Sequence, residues 1–334
     1  MCYNNSMTER KRKMRRKILC VLFVTIVTLC GVAIWLNYTT IRDYFVGINY
    51  QPSAEMLAIR DGLRLTERGI FIFNATQPEL NERGDFNRNC RTGETDTAIL
   101  GCYAREKIFV FDIRSEELEG IRELAMAHEL LHAVYARMSI REKDALADEL
   151  AQVYDSNREI LETEIGFYDE AERQEEIFVR AGTEIKELPN SLEETYAQIF
   201  NDQDAVVEFY DGYIGVFREI EERQAEIAEE LDAKKVELDS GKANYARETA
   251  QLNADVVSFN ACARVDGCIK SKTEFRERRA TLINRRDELE KMYNEINATV
   301  AEYNELVAEY NGLVVHGQML NDEINSAESP QEIE

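Results

Sequence analysis

The chain has 334 residues, 44% of them hydrophobic and 31% charged, with a formal net charge of -24. That balance is too apolar for a disordered chain and too polar for a multi-span membrane protein, and the length accommodates one ordinary domain plus a substantial appendage. An acidic excess of this size repels phosphate backbones, so no nucleic-acid partner is expected.

The charge is unevenly placed. Arg10, Lys11, Arg12, Lys13, Arg15, Arg16 and Lys17 are opposed before residue 38 only by Glu9, so residues 1–17 read as a basic cytoplasmic segment. The run that follows, 18–36 (ILCVLFVTIVTLCGVAIWL), carries no charge. As a helix it is long enough to cross about 30 Å of hydrocarbon. Trp35 and Tyr38 stand at its far end, where aromatic rings favour the lipid–water boundary. Residues 18–38 are therefore expected as a single transmembrane helix in the cell membrane, with the lipid bilayer as partner and the C-terminal body extracytoplasmic by the positive-inside rule. A cleaved signal peptide is the competing reading. The length of the apolar run and the lack of a small-x-small cleavage site count against it.

Of the seven cysteines, Cys2 is cytoplasmic in this topology and Cys20 and Cys30 lie in the span. The other four form two local pairs, Cys90 with Cys102 and Cys262 with Cys268. An even count in an oxidising compartment predicts two disulfides, and no close CxxC pair supports zinc binding by these thiols.

Residues 39–68 read as a helical neck. Two runs rich in Ile, Phe and Val, 69–75 (GIFIFNA) and 107–113 (KIFVFDI), read as buried strands separated by a loop rich in Asn, Arg, Gly and Thr. From Ser115 onward the pattern is helical. Glu116 and Glu117 suit the start of a first helix, where negative charge meets the helix dipole. Helices are expected over about 120–137, 141–154, 160–180 and 192–200, with capping-box spacing at Ser139/Glu142 and Ser191/Glu194.

Residues 205–326 contain no proline and repeat their apolar positions at heptad spacing. In the first arm Phe217, Leu231, Leu238, Tyr245, Leu252 and Phe259 share one seam position, with Tyr213, Ile220 and Ile227 on its companion. In the second arm Leu282, Leu289, Ile296, Tyr303 and Tyr310 share one, and Tyr293, Val300, Val307 and Val314 the other. Two arms joined by CARVDGC predict an antiparallel coiled-coil hairpin, each arm reaching on the order of 80 Å. Lys234, Gly241 and Glu248 interrupt the seam, so the hairpin is expected to be loose and open to a protein partner. Residues 327–334 are expected as a flexible tail.

The chemistry lies in AMAHELLHAVY, residues 125–135. His128 and His132 are one helical turn apart, so both imidazoles leave the same face and can hold one zinc ion. Glu129 stands beside the first ligand, where it can take a proton from a metal-polarised water as that water attacks a carbonyl carbon. Ile121, Leu124, Ala125, His128, His132 and Tyr135 form one stripe, which turns the histidines into the domain.

The motif, with uncharged Leu130, Leu131, Ala133 and Val134 around the ligands, resembles the active-site helix of zincin metallopeptidases. The resemblance implies an α+β zincin-like catalytic domain, mostly helical, over 69–204, with Zn2+ as cofactor and a peptide or protein substrate. A metzincin would carry Gly at 135 and His at 138, whereas Tyr135 and Met138 stand here. The third histidine, His316, lies far along the second arm. The third ligand is therefore expected to be a carboxylate from a downstream helix, as in gluzincins, within 170–189 (EAERQEEIFVRAGTEIKELP). Glu176 leads, because it precedes apolar Ile177 and Phe178 and lies one turn before Arg180. Its EIF…GTE setting also resembles small membrane-anchored bacterial zincins. Glu172, Glu175 and Glu184 stay open. Zincins hold substrate backbone along an edge strand before the active-site helix, and 107–112 occupies that position in the sequence. Tyr196 has two readings, an oxyanion stabiliser or a core tyrosine.

The sequence thus supports two functions. One is a membrane-anchored zinc metallopeptidase with His128, His132 and Glu176 on the metal and Glu129 as base. The other is an anchored coiled-coil interaction or scaffold protein whose zinc domain is vestigial.

Overall fold

The structure is a computed structural model and describes residues 19, 22–90, 99–165 and 170–326. The basic segment 1–17, the loop residues 91–98 and the tail 327–334 lie outside the described residues. The chain is mostly helical (78%), with a small mixed sheet and a pair of long helices. It divides into two compact units: one runs up to residue 214 and includes the residues from 323, and the other covers 215–322.

In the first unit, α1 (Leu22–Leu36) and α2 (Tyr38–Gly47) meet at a bend of 66°. Among the described residues no single helix is long and apolar enough to cross a membrane, while this bent pair passes jointly by length and composition. The expected neck is part of the domain. Its helix α3 (Ala54–Gly62) starts at Ser53, whose hydroxyl accepts from the Met56 amide at 3.1 Å, and it sends Met56 and Ile59 into the core beside Leu63.

The run 69–75 is not a strand. It lies in helix α4 (Glu67–Thr76), capped by the Thr66 hydroxyl on the Gly69 amide and ended by Gln77 in the left-handed region. The four consecutive large apolar residues Ile70 to Phe73 have no period, so a buried helix fits them as well as a buried strand does. Gly69 decides in favour of the helix's packing, because a Cβ there would sit 2.3 Å from the Ile199 carbonyl oxygen.

The expected loop between the two apolar runs contains regular structure: β1 (Glu79–Asn81), α5 (Arg83–Asn89) and β2 (Gly101–Ala104). With β3 (Lys107–Phe111) the strands form a sheet of order β1-β3-β2, β1 parallel and β2 antiparallel to β3. The strand expected at 107–112 to offer a free edge is therefore the central one, paired on both sides and buried at Ile108 through Phe111. The edge nearest the motif is β2. A disulfide between Cys90 and Cys102 ties it to the end of α5, as expected.

Helix α6 (Ile121–Arg137) is the core of this unit and is buried over most of its surface, with His128, Glu129 and His132 as polar positions in its middle. It starts after Gly120, at φ +90, rather than at Glu116 and Glu117. A Cβ on Gly120 would lie 2.6 Å from the Phe209 ring. Helix α7 (Ile140–Ser156) opens with the expected capping box of Ser139 and Glu142. The span expected as one helix over 160–180 is α8 (Arg158–Ile165) and α9 (Glu170–Glu184). Helix α10 (Asn190–Tyr196) begins one residue before Ser191, so the second capping box does not form; the Glu149 carboxylate accepts from the Leu192 amide instead.

The two long helices are α11 (Gln203–Ala263) and α12 (Lys272–Ile324). Their contacts run in antiparallel order: Arg223 to Glu309, Lys234 to Glu302, Asn244 to Met292 and Phe259 to Phe275. Two of the three interruptions in the seam are accommodated in ways the structure makes plain. Lys234 pairs with Glu302, and Gly241 lets Ile296 pack against the backbone. A disulfide joins Cys262 and Cys268 at the turn.

Candidate metal centre

His128 and His132 stand on the α6 face that meets α9, with ring centroids 5.1 Å apart. From α9, Glu176 brings one carboxylate oxygen to 3.7 Å from Nε2 of His128 and the other to 3.6 Å from Nε2 of His132. The three residues can each offer a donor atom within 4.8 Å of one another, and the group could hold a metal ion. The chemistry of the donors fits. Two imidazole nitrogens and one carboxylate suit a borderline metal, and separations of 3.6–3.7 Å are too long for hydrogen bonds. They are close to the roughly 3.3–3.5 Å between two ligands bound at about 2.0–2.1 Å to a shared tetrahedral centre. The histidine side chains keep 23% and 20% of their surface exposed, so the cluster is reachable, while Glu176 is buried at 4%.

The four candidate glutamates of α9 separate cleanly. Glu176 faces the histidines. Glu175 Oε1 lies 2.8 Å from Nδ1 of His132, which fixes that ring and leaves Nε2 toward Glu176. Glu184 holds Arg180 at 3.1 Å, and Arg180 donates to Glu176 Oε1 at 2.9 Å, so it orients the carboxylate. Glu172 is exposed. The rotation of α9 that produces this order depends on Gly182, where a Cβ would lie 2.5 Å from Leu131 Cδ1 and 2.7 Å from Tyr196 Cε1.

Electrostatically the two imidazoles differ. Burial, then His132 and Arg180, hold His128 well below its ordinary value. Burial also acts downward on His132, but the Glu175 hydrogen bond and the charges of Glu129 and Glu176 outweigh it and push His132 up to about 9. Glu129 is buried beside the cluster. Its desolvation raises the carboxyl to about 7 against the opposing influence of His132 and a hydrogen bond from the Tyr103 backbone.

Strand β2 lies against Glu129. Gly101 comes so close to Glu129 that a Cβ would lie 2.6 Å from its Cγ. The ladder hydrogen bond from the Phe111 amide to the Leu100 carbonyl sets the alternation along β2. In that alternation the backbone groups of Gly101 and Tyr103 point away from β3, and the Tyr103 backbone hydrogen-bonds Glu129 there. Gly101 and Tyr103 were invisible to sequence reasoning, since four residues (GCYA) carry no usable alternation.

Tyr196 is not in the cluster. It is fully buried, its hydroxyl donates to the Phe178 carbonyl at 2.6 Å, and burial pushes the phenol well above its ordinary value. The core reading of this residue accounts for it. Comparison of the chain with family models, curated proteins and solved structures finds no match in any of the three.

Proposed function

We propose that this chain is a zinc metallopeptidase of gluzincin-like type, anchored in the cell membrane through residues 18–38 with its body outside. The observation that carries the reading is the convergence of His128, His132 and Glu176 beside a buried Glu129. Structural zinc is usually closed by four protein ligands, often cysteines, whereas three ligands leave a position for substrate or water. The four cysteines that follow the expected span, Cys90, Cys102, Cys262 and Cys268, are committed to disulfides.

When bound, zinc would polarise the substrate carbonyl and make water acidic enough to be a nucleophile near neutral pH. The chain's own residues supply the rest. Glu129 takes the proton of the attacking water and delivers it to the departing amine nitrogen. Glu175 holds His132 in the tautomer that presents Nε2, and Arg180 holds Glu176. An extended peptide would pair along the side of β2 away from β3, through the Gly101 backbone and the Tyr103 carbonyl, since the Tyr103 amide is held by Glu129.

The test uses the full chain in detergent micelles. Elemental mass spectrometry is expected to find about one zinc per chain, lost in His128→Ala. Glu129→Gln is expected to keep the metal and lower hydrolysis of unstructured peptides by about 10²–10⁴-fold. A wild-type chain that takes up zinc and cleaves no peptide, or whose cleavage ignores Glu129→Gln, would sink the assignment and leave the anchored helical pair as the working part.

A further inference from the structure

Helix α2 has its polarity reversed. Its charged residues, Arg42 and Asp43, face the protein, and Asp43 is 1% exposed. Asp43 accepts from Arg42 and, at 2.8 Å, from Nε of Arg137 on α6, while Arg42 also pairs with Glu106. The same face packs on α4, where Gly47 meets Asn74 and Ala75. The opposite face carries Tyr38, Ile41, Tyr44, Phe45 and Ile48, at helical spacing and without a charge, and Phe45 is 60% exposed. A helix bathed in water on its open side places its charges there. This one puts both charges inward and Tyr38, Ile41, Tyr44 and Phe45 outward, with Ile48 just past its end continuing the face.

We infer that the outer face of α2 lies in the membrane interface and that α2 is a platform holding the domain against the lipid surface. Two observations name lipid as the occupant. The apolar surface is continuous with α1, whose described residues are all exposed and uncharged. The 66° bend between the helices then turns α2 toward the membrane plane if α1 runs across it. Tyr38, Tyr44 and Phe45 are side chains that favour the headgroup boundary, and a helix of this kind lies with its apolar face sunk into it. Because Asp43 fastens α2 to α6, the metal cluster would be held at a set height above the bilayer, selecting substrate segments close to the membrane surface. The inference rests on reading residues 18–38 as the anchor.

Trp35 is the sole tryptophan, which supplies a depth probe. The full chain is reconstituted into phosphatidylcholine vesicles with and without lipids brominated high on the acyl chain. One sample is native, and the other carries Trp35→Phe with Phe45→Trp. Expected is a loss of emission by brominated lipid in both, with a blue-shifted spectrum from the introduced indole. Quenching of Trp35 together with water-like, unquenched emission from the Phe45→Trp indole overturns the platform and leaves the anchor standing. No quenching in either removes the anchor and the platform together. Blue-shifted but unquenched emission that depends on protein concentration assigns the face to a second copy and also overturns the inference. Ile48→Trp in the Trp35→Phe background repeats the measurement on the same face should Phe45→Trp not fold.

Discussion

Replacing Glu175 by glutamine is expected to weaken metal binding while leaving the ligand set intact. Glu175 Oε1 lies 2.8 Å from Nδ1 of His132, and the amide oxygen of glutamine can accept the same N–H at the same length. What disappears is the negative charge that makes Nε2 a stronger donor. Carboxylates in this position are worth about 10–100-fold in metal affinity, or roughly 1.4–2.7 kcal/mol. Glu176→Gln removes an anionic donor and breaks the Arg180 pairing, so its loss should exceed that of Glu175→Gln. Glu172→Gln, at an exposed position, should change nothing. The assay is a competition titration of the full chain against a chromogenic zinc chelator at one fixed pH, with folding checked by circular dichroism. A larger loss in Glu175→Gln than in Glu176→Gln would transfer the ligand role to Glu175. Unchanged affinity in both would refute the cluster as the metal site.

Other perturbations test the frame around the site. Asp43→Ala strands the mostly buried Arg137 guanidinium and is expected to cost about 3–5 kcal/mol, read as a fall in the thermal unfolding midpoint. Gly182→Ala drives a methyl into Leu131 and Tyr196; overpacking of this kind costs about 1–3 kcal/mol, and the shift of α9 should weaken zinc uptake as well. Ser139→Ala removes the α7 cap at about 1 kcal/mol. The Ser139 side chain, then its backbone amide, hold the Glu142 carboxyl below its ordinary value, so this contribution is complete above that ordinary value and fades as pH falls through the lowered one. The stability gap between wild type and Ser139→Ala should accordingly shrink in acid.

What the sequence could tell depended on whether the answer was local. His128, Glu129 and His132 were legible because a helix alone places them. The cysteine pairs were legible because each closes a short loop. The third ligand was narrowed only to four glutamates, since the choice among them is a rotation of α9 about its axis. That rotation is fixed by Gly182 against Leu131 and Tyr196, contacts made across long stretches of chain. The run 69–75 reads as a strand yet folds as a helix for the same reason: Ile70 to Phe73 are all apolar and set no period, so its packing partner Ile199 decides. Strand β2 could not be seen at all, because its pairing with β3, and not its four side chains, makes it a strand.

The two close-approach glycines at the centre act on different sides of α6, so the proposed metal binding and proton transfer should be separable. Gly182 brings in α9 and with it Glu176, whereas Gly101 brings in β2 against Glu129. Gly101→Ala would put a methyl 2.6 Å from Glu129 Cγ and 3.0 Å from its Oε1, so either β2 or the carboxylate must move. Neither His128, His132 nor Glu176 is among the nearest atoms that methyl would meet. Zinc content and affinity should therefore stay at wild-type levels in Gly101→Ala, while peptide hydrolysis falls as the base leaves its place. Gly182→Ala should show the reverse priority, losing metal first and activity only as a consequence. Metal loss in Gly101→Ala would mean that β2 supports the ligand helix as a whole and not the base alone, and the division of labour across α6 would be wrong.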